Sequence, residues 1–139
     1  MGKVVFTASI MDLLHRGHLN LLREMNKEGN FVIVVLHDDL SCFLIKDKFP
    51  IQTVEHRKRN LELSGLVDLV LITENTNPTD RFADIVNKYG AENVLFMRGD
   101  DNLKPPAKEF LDRYGIQQKY IKYTEGISSS KIRDELCNL

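Results

Sequence analysis

His15-Arg16-Gly17-His18 sets two imidazoles three residues apart, directly after the strand-like run Lys3-Val4-Val5-Phe6-Thr7 and before the helical stretch that opens at Leu19. On a helical turn such a pair shares one face, with roughly 5–6 Å between β-carbons. The intervening glycine admits a close approach by another backbone or a ligand. A strand, a tight loop and a helix N-terminus form the place where α/β proteins hold phosphate. Neutral or weakly charged imidazoles there can donate hydrogen bonds to phosphoryl oxygens. The motif therefore predicts nucleotide chemistry. A zinc reading is weaker, because no third Cys, His or Glu lies nearby to complete a ligand set. His37 and His56 have no such context and are expected at a strand end and on a helix surface.

Two further segments carry donors or carboxylates. Thr124-Glu125-Gly126-Ile127-Ser128-Ser129-Ser130-Lys131 places a glycine and a hydroxyl run before a helical stretch. Free backbone N–H groups, hydroxyls and the helix dipole all favour an anion there, although a serine at a helix start is by itself only a cap. Arg98-Gly99-Asp100-Asp101 follows an apolar run, where it reads either as a strand-ending turn or as a ligand site at a carboxyl edge. Lys46 and Lys48 fall in the least regular stretch, 38–50, which is expected to be a loop.

The elements that must position these residues alternate along the chain. Apolar runs at 4–6, 31–36, 69–72, 94–97 and 120–121 are separated by helical patterns at 17–28, 53–64, 80–89, 107–114 and 128–136. Gly29, Gly90 and Gly115 sit just past helical patterns, as C-terminal caps do. Asp80 and Ser128 suit N-caps, and Pro105-Pro106 suits a helix start. This rhythm predicts a single α/β domain over residues 1–139: a Rossmann-like, doubly wound, five-stranded parallel sheet with the 4–6 strand central. Strands that are apolar throughout fit a sheet covered on both faces.

Composition narrows the classes. The 139 residues carry 19 Lys and Arg against 20 Asp and Glu, a net charge of −1, which gives no reason to expect nucleic-acid binding. The longest apolar run, 31–36, is too short to span a bilayer, and no signal-peptide pattern is seen. Cys42 and Cys137 make no metal or redox spacing and are expected as free thiols in a reducing cytoplasm.

On these residues the chain resembles the small cytidylyltransferases of the H-x-G-H nucleotidyltransferase superfamily, in particular their glycerol-3-phosphate branch. The run Asp12-Leu13-Leu14-His15-Arg16-Gly17-His18 is similar to the second half of that family's G-T-F-D-L-L-H-x-G-H. Glu55-His56-Arg57-Lys58 matches its E-H-R-K, Val67-Asp68 its V-D-E-V, Gly99-Asp100-Asp101 its G-D-D, and the 124–129 segment most of its R-T-E-G-I-S-T. The resemblance implies transfer of CMP from CTP to a phosphorylated small alcohol, with Mg²⁺, in a homodimer that pairs through 55–58. It also implies roles. His15, His18 and Lys46 would act on the phosphates, and Lys48 would hold the acceptor phosphate. Ala8, Ser9, Asp12, Asp101, Thr124, Gly126, Ile127, Ser128 and Ser129 would bind the nucleotide. A resident metal site is not identified.

Three departures stand out. The family's G-T-F is Ser9-Ile10-Met11, the arginine before T-E-G-I-S is Tyr123, and the tryptophan after G-D-D is Asn102. A tyrosine offers one neutral donor where arginine offers a charged planar fork. Arg16 and Arg98 are candidate replacements for that cation. Two other readings stay open: adenylyl transfer from ATP, and a nucleotide-binding homologue with little turnover.

Overall fold

The computed structural model describes residues 3–100, 104, 105, 107–122, 124 and 126–138. Five strands alternate with helices: β1 (Val4–Ser9), α1 (Arg16–Glu28), β2 (Phe31–His37), α2 (Asp39–Lys46), α3 (Val54–Leu63), β3 (Leu69–Thr73), α4 (Thr79–Tyr89), β4 (Val94–Asp100), α5 (Lys108–Arg113), β5 (Gln117–Lys122) and α6 (Ser129–Cys137). All strand pairs are parallel in the order β3-β2-β1-β4-β5, so β1 is central as expected. The order reverses at β1, and the crevice beyond its carboxyl end is where open α/β sheets take ligands.

Alternation along each strand splits the core into two layers. Val5, Val32, Val34, Leu36, Leu95 and Met97 pack with Leu22 and Met25 of α1 and with Val54 and Leu61 of α3. Val4, Phe6, Ile33, Val35, Val94 and Phe96 face the other side, against Phe82 and Ile85 of α4 and Leu111 of α5. Phe6 meets Phe82 and Phe96 edge-on, with ring centroids 4.9 and 5.5 Å apart. Both faces are buried, which explains why the strands read as continuous apolar runs. No helix among the described residues is long and apolar enough to cross a membrane.

Several local expectations are corrected. The 38–50 stretch is not a loop: it opens with α2, capped by the Asp38 carboxylate, which accepts from the Ser41 N–H at 2.8 Å. Arg98-Gly99-Asp100 does not turn but extends β4, paired with Tyr120, Ile121 and Lys122 of β5. Asp80 is not a cap, since Pro78 holds that position; its carboxylate instead accepts from Thr73 Oγ1 at 3.0 Å. Gly29 has an extended backbone, φ −156°, rather than a left-handed one. It is required for space, because a β-carbon there would lie 2.3 Å from the Lys3 carbonyl oxygen. Ser128 caps α6 as expected, and His37 and His56 fall at a strand end and on an exposed helix position.

One charged side chain crosses the junction of these elements. Arg57 of α3 is completely buried. Its Nη1 donates to the carbonyls of Ile10 and His37 at 2.8 Å each, Nε donates to Gln52 O at 3.0 Å, and Nη2 meets Asp39 Oδ1 at 2.7 Å. Arg57→Ala is expected to lose about 3 kcal/mol or more in urea denaturation, because each buried carbonyl left unpaired costs about 1–3 kcal/mol. Arg57→Lys should recover only part of this, since an ammonium cannot reproduce the fork. A loss below about 1 kcal/mol for the alanine variant would refute the brace.

Candidate active site

The backbone leaving β1 is forced into an unusual path. Met11 (φ 53°) and Leu13 (φ 50°) are both left-handed, a costly conformation for these residue types. Burial of the Met11 side chain and a set of polar ties hold it there. The Asp12 carboxylate accepts from the N–H groups of Ile51 (2.8 Å) and Gln52 (3.0 Å), and Leu13 N–H donates to Gln52 Oε1 at 3.0 Å. Ser129 Oγ donates to the Asp12 carbonyl. Asp12 lines the cleft, yet its oxygens serve the 47–53 strap that follows α2.

His15 is the N-cap of α1, and His18 is the third residue of the helix. His15 Nδ1 accepts from Gly17 N–H at 3.0 Å, while His18 Nδ1 accepts from His15 N–H at 3.2 Å. The rings stack with centroids 3.8 Å apart. Two backbone donors that a helix start leaves open are thus satisfied reciprocally by imidazoles. Gly17 is needed for this stack, because a β-carbon there would lie 2.9 Å from His15 Cε1. The close neighbour that the glycine admits is the preceding histidine's own ring.

This capping arrangement fixes the chemistry of both rings. With Nδ1 accepting, the neutral imidazole carries its proton on Nε2. Burial, then the neighbouring His15, pushes His18 down to about 3, with Asp12 opposing and Lys46 adding to the shift. Burial and then Arg16 lower His15 as well. At neutral pH the pair presents two uncharged Nε2–H donors.

The donors face a cleft of 460 Å³ at the carboxyl edge of β1 and β4. Of the residues expected in a site, Ala8, Ser9, Asp12, His15, His18, Lys46, Lys48, Thr124, Ile127 and Ser129 line it together. Gly126 and Ser128 stand behind this lining. Gly126 (φ 79°) offers its carbonyl to Lys131 Nζ at 3.0 Å, and Ser128 Oγ accepts from Lys131 N–H at 3.0 Å. Asp101, Asn102 and Tyr123 lie outside the described residues. Of the two candidate replacement cations, Arg98 lines the cleft, whereas Arg16 is not among its lining residues and lies beside Gly126. The sequence reading missed His37, Cys42, Lys122 and Arg133 as lining residues. The basic first turns of a helix that follows a hydroxyl run were the available signal for Arg133. Among the described lining residues, Lys46, Lys48, Arg98, Lys122 and Arg133 face a single carboxylate, Asp12. The described lining of the cleft thus carries five cations against one carboxylate.

Such an edge, with neutral donors at a helix start and cations around them, places the chain among Rossmann-like nucleotidyltransferase folds. More narrowly, it belongs to the cytidylyltransferase-like family, whose model matches residues 6–135. It is 36% identical to the glycerol-3-phosphate cytidylyltransferase of Staphylococcus aureus, over 96% of this chain and 95% of that protein. It is 33% identical to the Bacillus subtilis enzyme of the same name, over 99% of each. It is also 33% identical to the bifunctional protein HldE of Blochmanniella floridana, of which it covers 27%. Among solved structures, a lipopolysaccharide core biosynthesis protein from Thermoplasma volcanium superposes with a TM-score of 0.66 at 21% identity, over 89% of this chain and 98% of that one. That likeness concerns the fold.

The depressed histidines make a stability prediction. An unfolded histidine takes its proton near 6.5, whereas folded His18 does so only near 3. Between those values the unfolded state binds more protons, so stability is full above pH 6.5 and falls as pH drops towards 3. His15 and buried His37, also lowered, act in the same direction. Denaturation at pH 7.5 and 5.0 should show the loss, by up to about 1.4 kcal/mol per pH unit for His18. His18→Asn, which keeps an acceptor for the His15 N–H, should flatten the slope. An unchanged slope in that variant would refute the neutral assignment.

Proposed function

We propose that the chain transfers CMP from CTP to a phosphorylated small alcohol, with glycerol 3-phosphate the first acceptor to test. The observation that carries this reading is the stacked, cap-locked pair of Nε2–H donors in a cation-lined cleft. The two nearly full-length relatives named for that reaction support it. An oxygen of the acceptor phosphate attacks the α-phosphorus. The new P–O bond forms as the bond to the β-phosphate bridging oxygen breaks, and pyrophosphate leaves with that electron pair. The acceptor is already ionised at neutral pH, so the reaction needs neither a protein nucleophile nor a strong general base. The protein's work is alignment and charge stabilisation. His15 and His18 donate to oxygens of the transferring phosphoryl group, Lys46 reaches the triphosphate and Lys48 the acceptor phosphate. Ala8, Ser9, Thr124, Ile127 and Ser129 wall the nucleotide, with Gly126 and Ser128 shaping the turn behind it.

Mg²⁺ is a natural companion of CTP. The described residues hold no group of three His, Cys, Asp or Glu that could hold a metal ion, and the Asp12 oxygens serve backbone donors. They do not fit a resident ion. A cation that arrives on the triphosphate, keeping most of its waters, suits them better.

Incubating the protein with each of the four nucleoside triphosphates, Mg²⁺ and a panel of phosphorylated alcohols, and assaying pyrophosphate, tests the reading. Release with CTP alone among the nucleotides, abolished by chelation, is expected. Release with ATP would favour adenylyl transfer, and CTP binding without release would favour a nucleotide-binding homologue. His15→Ala and His18→Ala should each lower kcat by about 10²–10³ with the fold retained, the usual cost of one such donor.

We also propose that the chain pairs with a second copy of itself. The α2 helix and the strap beyond it expose Leu40, Leu44, Phe49 and Ile51, and Glu55 and His56 are exposed nearby in sequence. Arg57, expected within a 55–58 contact, is turned inward and takes no part in one. Sedimentation should give a dimer at high micromolar concentration, and a monomer there would refute the pairing.

A further inference from the structure

The strap at 47–53 follows Lys46, the last residue of α2, and carries Lys48, so its setting decides where the Lys48 ammonium stands. Its backbone is held almost entirely by side chains from elsewhere. Cys42 Sγ reaches the Lys48 carbonyl at 3.6 Å, Asp12 accepts from Ile51 and Gln52 N–H at 2.8 and 3.0 Å, and Arg57 Nε donates to Gln52 O at 3.0 Å. Phe49 also stacks on Phe43 of α2, with ring centroids 4.7 Å apart, and one further tie comes from the far side of the cleft. Arg133 Nη2 of α6 donates to the Phe49 carbonyl at 3.1 Å and lies 3.5 Å from Asp12 Oδ2.

Helix α6 is the least anchored element to take part. None of its side chains is buried. Besides Arg133, its tie to the first loop is Ser129 Oγ on the Asp12 carbonyl. Elements with few buried contacts open locally at low cost, and when α6 opens the Arg133 tie opens with it. The N-terminal turn of this same helix carries Ser129 and Ser130 into the cleft.

We infer that Arg133 is a positioning residue that transmits occupancy of the nucleotide end of the cleft to the lysine strap. This rests on the cytidylyl-transfer reading. A nucleotide seated at the α6 N-terminus keeps the helix docked. Docking keeps Arg133 on Phe49 O and Asp12, and the strap then holds Lys48 in place for the acceptor. Binding at one end thus lowers the ordering cost at the other, a coupling through local stability that requires no change of shape. By linkage the acceptor tightens the nucleotide equally.

Hydrogen exchange on the full-length protein tests this with a CTP analogue bearing a methylene bridge between the α- and β-phosphorus atoms. In wild type the analogue should slow exchange in peptides covering 126–136 and also in the 47–53 strap, the latter by about tenfold, within the usual range for coupled sites. In Arg133→Ala the 126–136 protection should remain while the strap effect falls within about twofold of none, and Arg133→Lys should restore part of it. In turnover, Arg133→Ala should raise the acceptor KM and, by the same linkage, the CTP KM at saturating acceptor by a similar factor. Strap protection that persists in Arg133→Ala, or is absent in wild type, overturns the coupling. Loss of analogue affinity in Arg133→Ala well beyond the roughly tenfold coupling overturns it too, since Arg133 would then be a direct phosphate ligand. Wild-type protein that does not bind the analogue fails the cytidylyl-transfer reading itself, and the coupling falls with it. Because α6 buries no side chain, both variants are expected to fold, which melting curves check.

Discussion

A fully buried guanidinium is the constraint on which the site depends. Arg57 is paired on one side with the Asp39 carboxylate and on the others with three backbone carbonyls. Those carbonyls belong to the loop after β1, the end of β2 and the strap before α3. Burying a charge is costly unless its donors are met, and here all its nitrogens have acceptors in different segments. The segments therefore cannot drift apart without exposing an unpaired cation to an apolar interior. The carboxyl edge of the sheet, which loops alone would leave soft, becomes a fixed platform. Asp12, Lys48 of the strap and the start of α1 all take their places from it.

On that platform the same atoms serve structure and chemistry. Each imidazole gives its Nδ1 to an open N–H of the helix start, and this selects the tautomer that turns Nε2–H outward. Burial then withholds the second proton. A pair of stacked imidazolium rings would repel each other and the neighbouring Lys46, so neutrality stabilises the stack. The left-handed backbone at Met11 and Leu13 is the local cost of bringing β1 round to this cap.

What could be read from the sequence was what repeats or what is local. The β-α rhythm showed because both faces of the sheet are covered, so the strands carry unbroken apolar runs. The histidine pair and the Ser128 cap showed because their partners lie within three residues. The rest depends on partners far away in the chain. Asp12 and its Ile51 donor are 39 residues apart, and nothing beside Asp12 announces that its carboxylate faces a strap. Arg57 reads only as part of a 55–58 pairing segment, since the acceptors that turn it inward come from 5 to 47 residues away. Helix α2 was mistaken for a loop because it is short, eight residues, with the left-handed Asp47 closing it where glycine usually marks the end. The sequence marks Gly17 as a point of close approach by a backbone or ligand, whereas the group that approaches is the ring two residues earlier.

Gly29 sits at the opposite end of α1 from the histidines, packed against the Lys3 carbonyl with no room for a β-carbon. The helix between them is 13 residues long, about 20 Å at 1.5 Å per residue. Leu22 and Met25, both fully buried against the sheet, act as its fulcrum. A methyl group wedged in at Gly29 would press on the Lys3 carbonyl and on Val5, tilting the helix and with it the imidazole stack at its other end. Misplacement by about 1 Å at a reacting centre can cost on the order of 10²-fold in rate. The setting of the His15–His18 stack is thus tied to a residue outside the cleft, with no side chain, on the amino-terminal side of the sheet.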